Sequence, residues 1–239
     1  TNPGNMVSNG AFVLTDWVHD SYIEMSRNDQ YYEPAGPDKI TWYLSNSQTA
    51  MLAAYQAGEY DFFDNVPTDQ IESLQASGDC FVADQICTYF IYLSCDQIPD
   101  WRVRAAITLS IDRDNIVENI TQGGQTPATG LTAAGISDSQ GNSWVDEIGT
   151  PLYPDYDLTT YSGRCELAVA LLEEAVTDGY DTSATINYEY NTDENHKAIA
   201  EAVQADVANV LGLNISLNNS EWQTYTNNLS LGQFGIARM

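Results

Sequence analysis

Apolar and polar positions alternate from the start of the chain. "AFVLTDWVHDSYIEMSR" (residues 11–27) reads as two strands around a turn at His19-Asp20. "KITWYLS" (39–45) is a third strand. "SNSQTAMLAAYQAGEYDFF" then changes period: Ser45 or Ser47 can cap a helix through Ala50, Leu52, Ala53 and Ala54. Gly58 stands where a left-handed C-cap belongs, and "EYDFFD" resumes as a strand. "PTDQIESLQAS" predicts a short helix with Pro67 early in it. "CFVAD" and "ICTYFIYLS" (80–94) read as strands. "DWRVRAAITLSI" and "DRDNIVENI" read as successive helices, the second capped at Asp112.

Periodicity lapses over residues 123–162, and the domain boundary is placed there, near residue 130. From Arg164 a regular alternation follows: helix "CELAVALLEEAVTDGY", strand "ATINYEY", helix "NHKAIAEAVQADVANVLGL", strand "NISLNN", helix "EWQTYTNNLSLG", strand "QFGIAR". Ile199, Val203, Val207 and Val210 mark the core stripe of its central helix. The expectation is a mixed α/β (α+β) protein with two modules. Residues 1–130 mix strands and helices, and residues 131–239 form βαβ-like units.

The 239 residues are 43% hydrophobic and 11% aromatic, enough for a folded core. Charge narrows the partners. Thirty-four acids against eight Lys and Arg give a net charge of −26. Nucleic acid and anionic membrane surfaces need clustered cations, which this chain lacks. The acidity suits a solubilised, secreted or salt-exposed surface. No EF-hand spacing, CxxC pair, HExxH, P-loop or GxGxxG after a strand occurs, so no metal or cofactor is expected. Cys80, Cys87, Cys95 and Cys165 admit one disulfide or four free thiols. "TNPGNMVSNGAF" has neither a charged segment nor an apolar core of a signal peptide. It fits either a cytoplasmic protein or an internal piece of a longer one.

Catalysis finds little support. His19 sits in a turn, where a solvated role is ordinary. No GxSxG elbow occurs, and no Ser or Cys can be matched to a His. With 34 acids, carboxylate pairs at any spacing arise by chance. Binding is better served. Asn191, His196, Trp222 and Arg238 each fall at a strand end or helix start of the βαβ-like module, the edge that lines ligand crevices in α/β sheets. Asn offers a donor and an acceptor, Trp a flat wall, and Arg a fork that fits a carboxylate. Each also has a structural alternative: Trp222 in the core, Asn191 in a turn, His196 on a helix surface. Arg238 is the hardest to explain away, as one of six arginines and placed in an apolar strand.

Several stretches resemble, in order, the solute-binding proteins of oligopeptide and dipeptide ABC transporters. They are "MVSNGAFVLTDWVHDSYIEMSRNDQYY", "AAYQAGEYDF", "WRVRAAITLSIDRDNIV" and "INYEYNTDENHKAIAEAVQADVANVLGLNISLNNSEWQTYTNNLSLGQFGIARM". The resemblance covers essentially the whole chain. It implies a two-lobed, periplasmic-binding-protein-like type II architecture, of which this chain would be an internal fragment. Residues 1–130 would belong to lobe I and 131–239 to the opposite lobe.

The resemblance implies capture of short peptides between the lobes and delivery to membrane permease subunits, without catalysis. The location would be the periplasm or a lipoprotein-bearing cell surface. Relatives binding a dipeptide, nickel chelate, haem or oligosaccharide share the architecture, and a secreted hydrolase is the remote alternative. By position, Asn191 would contact the peptide main chain, His196 and Arg238 its C-terminal carboxylate, and Trp222 would wall a pocket. Ser94, Cys95 and Asp96 stand where the family commonly has asparagine nearby, and they complete the expected ligand set. Exposed strand edges of a partial fold would favour self-association.

Overall fold

The computed structural model describes residues 3–133, 135–144, 153 and 155–239. The chain divides into two compact units, Thr1–Pro67 and Thr68–Met239.

In the first unit, β1 (Phe12–Val18), β2 (Tyr22–Arg27) and β3 (Lys39–Tyr43) form an antiparallel sheet in that order. The expected turn is present, with Asp20 at φ 59°, a conformation short polar side chains tolerate. The register aligns Leu14, Met25 and Ile40 across the sheet, then Trp17, Ile23 and Trp42. One face is therefore apolar. A bulge between Leu14 and Asp16 restores this alignment. α1 (Gln48–Gln56) starts at Ser47, whose hydroxyl accepts from Ala50 N at 3.2 Å. It ends before Gly58 at φ 76°. "EYDFFD" forms no strand; it is irregular through Pro67.

The second unit holds the core. β4 (Ile91–Leu93), β5 (Ile186–Asn191), β6 (Ile215–Ser220) and β7 (Ile236–Arg238) form one sheet in the order β4-β7-β5-β6. β5 is parallel to both β6 and β7, and β4 is antiparallel to β7. α3 (Trp101–Ser110), α5 (Tyr161–Thr177) and α6 (Glu194–Leu211) bury Val103, Ile107, Leu167, Leu171, Val203 and Val207 against Tyr188 and Ile236. The smaller helices are α2 (Ile71–Ser77), α4 (Arg113–Asn115) and α7 (Trp222–Ser230). "DRDNIVENI" is capped by Asp112 as expected, but after α4 it widens into a π-helical turn over Ile116–Thr121. Among the described residues no helix is long and apolar enough to cross a membrane.

The strand expectation for residues 80–94 fails in large part. Only Ile91–Leu93 of residues 80–94 becomes a strand, because β7 is the neighbour that supplies its ladder. This pairing places β4 in the sheet of β5–β7, while α3 packs on α5 and α6. The two compact units part between Pro67 and Thr68. β7 can enter between β4 and β5 because Gly235 is small. A Cβ there would lie 2.7 Å from Ile186 Cγ2 and 3.2 Å from Asn187 O.

Candidate functional site

Parallel strands bring their C-terminal ends to one edge of a sheet. In the second unit that edge carries Asn191 at the end of β5 and Arg238 at the end of β7. The helices after β5 and β6 start at the same edge. α6 is capped by Asp193, whose carboxylate accepts from Asn195 N at 2.9 Å and His196 N at 3.0 Å. α7 opens with Trp222. The chain topology thus gathers Asn191, His196, Trp222 and Arg238.

Arg238 is the centre of the cluster. Its Nε donates to Asn191 Oδ1 at 2.7 Å, and Nη2 donates to the same oxygen. The guanidinium lies 5.5 Å from the Trp222 ring and 5.4 Å from the Tyr225 ring, both at cation–π distance. Tyr225 is 1% exposed, and its hydroxyl donates to the Arg238 backbone carbonyl. Among the described residues Arg238 makes no ion pair, although Arg27, Arg102, Arg164, Lys39 and Lys197 each have a carboxylate partner.

His196 faces Tyr89, with ring centroids 5.6 Å apart and the hydroxyl 3.4 Å from Nδ1. Burial, aided by the positive charge of Arg238 and opposed by Asp193, holds His196 below the usual histidine range. Neutral imidazole therefore prevails at neutral pH. Tyr188, fully buried on β5, is pushed up by burial, and its hydroxyl has no hydrogen-bond partner among the described residues. Ser220 Oγ, level with Asn191 in the β5–β6 register, is also buried without a partner. The edge thus combines one unneutralised cation, aromatic walls and unsatisfied hydroxyls. It can receive an anionic group with polar neighbours. No cluster of metal-ligating side chains occurs among the described residues.

Ser94, Cys95 and Asp96 do not join this cluster. β4 runs antiparallel, so its end lies level with Gly235, at the far end of β7 from Arg238. Three residues of strand separate the levels, about 10 Å. Ser94 N donates to Gly235 O at 2.9 Å, and its hydroxyl accepts from Gln97 N at 3.2 Å. Ser94 shapes the turn into α3, with Cys95 and Asp96 exposed on it. All four cysteines are free thiols. Sequence reasoning missed Tyr89, Tyr188 and Tyr225. Tyr225 follows Trp222 by three residues and so shares its helix face, a signal available in "EWQTY".

The family model for bacterial extracellular solute-binding proteins, family 5 Middle, matches residues 1–239. The chain belongs to this family. Family relatives include the periplasmic oligopeptide-binding protein OppA of Salmonella typhimurium, 31% identical over all of this chain and 43% of the relative. The oligopeptide-binding protein OppA of Bacillus subtilis is 32% identical over all of this chain and 44% of the relative. Among solved structures, the Haemophilus influenzae OppA complex with RPPGFSPFR superposes with a TM-score of 0.85 at 29% identity, covering all of this chain and 46% of that one. The mixed α/β, periplasmic-binding-protein-like fold expected from the sequence agrees with this likeness. The chain spans under half the length of the relatives it matches.

Proposed function

We propose that this chain carries the carboxylate-gripping part of a peptide-binding component of an ABC importer. The observation that carries the proposal is Arg238: an unneutralised guanidinium in a chain of charge −26, aimed by Asn191 and flanked by Trp222 and Tyr225. A buried-edge arginine left without an acid is suited to an arriving carboxylate. The likeness to proteins named for oligopeptide binding supports a peptide as its source. His196, neutral and beside Tyr89, would complete the reception of the peptide end.

In this reading the protein acts outside the cytoplasm. It closes two lobes on the peptide, passes it to membrane permease subunits, and makes or breaks no covalent bond. Closure is a population shift driven by the ligand's preference for the closed form. Asn191, His196, Trp222 and Arg238 are the proposed ligand-site residues.

NMR titration of the isotope-labelled chain with trialanine and with trialanine amide tests the proposal, because it registers binding even in the millimolar range. Wild type is expected to prefer the free acid. Arg238→Ala is expected to lose affinity for the acid by at least about tenfold while changing that for the amide far less. Equal losses for both peptides would remove Arg238 from the role.

A further inference from the structure

Asn191 was expected to touch the peptide main chain. Its side-chain oxygen is instead occupied by two N–H groups of Arg238. We infer that Asn191 is a positioning residue: it aims the Arg238 guanidinium with a neutral acceptor, so that the cation is oriented but not neutralised and the site selects anionic ligand groups.

The argument rests on what each alternative acceptor would do. A carboxylate at position 191 would hold the same edge of the guanidinium equally well, since Asp and Asn have the same shape. It would also cancel the charge through a charge-assisted pair. This chain supplies acids freely, and three of its other arginines are paired with them: Arg102 with Asp100 and Asp178, Arg27 with Asp38, and Arg164 with Asp114. At β5 the chain places an amide instead. With Nε and Nη2 directed to Asn191, the remaining N–H groups of the fork stay available for a ligand. Trp222 and Tyr225 lie close enough to restrict rotation of the group without contributing a negative charge. Tyr225 also ties down the Arg238 main chain through its carbonyl. The site thus holds one edge of the Arg238 guanidinium and its main-chain carbonyl with neutral groups.

This inference rests on the peptide-capture reading, and the test separates the two. The labelled full chain is compared as wild type, Asn191→Asp and Asn191→Ala, each checked for folding by its dispersed amide spectrum. The first readout needs no ligand. The Arg238 Nε–H and Nη–H resonances are expected to show slow guanidinium rotation in wild type and in Asn191→Asp, and fast averaging in Asn191→Ala. Unchanged rotation in Asn191→Ala overturns the inference. The second readout is the ratio of affinities for trialanine and trialanine amide. Asn191→Asp is expected to bring that ratio close to one. Asn191→Ala is expected to weaken acid binding several-fold while the ratio stays above one. If Asn191 instead touched the peptide main chain, both variants would lose acid and amide affinity together and leave the ratio unchanged. Should wild type itself show no preference for the acid, the carboxylate reading falls, and the guanidinium rotation still decides what Asn191 does.

Discussion

The two compact units spend similar sequence differently. Residues 1–67 carry nine acids and two cations, and the remainder has a comparable excess of acid per residue. Yet Leu52 and Pro67 are the buried apolar side chains among the described residues of the first unit. Its sheet aligns Leu14, Met25 and Ile40, and Trp17, Ile23 and Trp42, all at least partly exposed; Trp42 is 49% exposed. The second unit buries twenty side chains in one cluster between its sheet and α3, α5 and α6. Alternation creates a strand with an apolar face in both. What differs is the second layer. Helices laid across a sheet convert an apolar face into a core, and without that cover the same pattern remains a half-wet surface.

Core truncation is the strongest way to test this contrast. Ile107→Ala, at a fully buried position of α3, is expected to cost about 3–4 kcal/mol, whereas the half-buried Ile23→Ala costs about 1 kcal/mol or less. Denaturant titration with residue-resolved hydrogen exchange would distinguish the units. Equal costs would erase the distinction. Next in size is Gly235→Ala, expected to cost about 1–3 kcal/mol by crowding Ile186 and Asn187. The loss of protection should centre on β7 and β5, leaving β1–β3 unchanged.

A local substitution in the weaker unit is smaller still. Ser47→Ala removes the cap of α1 and should cost about 1 kcal/mol. Its effect on amide exchange should stop at the first unit.

The pH effects are the smallest and belong to the second unit. His196 binds its proton less tightly folded than unfolded. Its contribution to stability is therefore complete above the ordinary histidine value, about 6.5, and is lost as pH falls through the lower folded value. Asp206 runs the other way. Burial raises its carboxyl and repulsion from Asp112 adds to this, against the hydrogen bond from Asp112 N at 2.9 Å. Its contribution is complete below the ordinary aspartate value and is lost as pH rises through the raised one. Asp206→Asn should thus raise Tm slightly at pH 7, with the gain fading toward pH 4. A gain that grew on acidification would contradict the assignment.

Local rules made much of this fold readable. The hairpin turn, the Ser47 cap, Gly58, and the stripe of Ile199, Val203 and Val207 all depend on residues within a few positions of one another. The cluster of Asn191, His196, Trp222 and Arg238 was also readable, because parallel strands must share an edge. The failures were long-range. The stretch 80–89 has strand-like composition but no ladder, since β4's partner is β7, far along the chain. The hydrogen bond from Arg238 to Asn191 could not be read either, because the two stand 47 positions apart.

The position of β7 has a consequence for the order in which the molecule assembles. β7 follows β4, β5 and β6 in sequence yet occupies an interior place in their sheet, between β4 and β5. During synthesis, β5, α6 and β6 can pair as soon as they emerge, but β4 must wait with its ladder open until Gly235–Arg238 is made. The step that joins β4 to β5 through β7 is the same step that delivers Arg238 to Asn191. The Arg238–Asn191 pair therefore forms together with the strand pairing that joins β4 to β5.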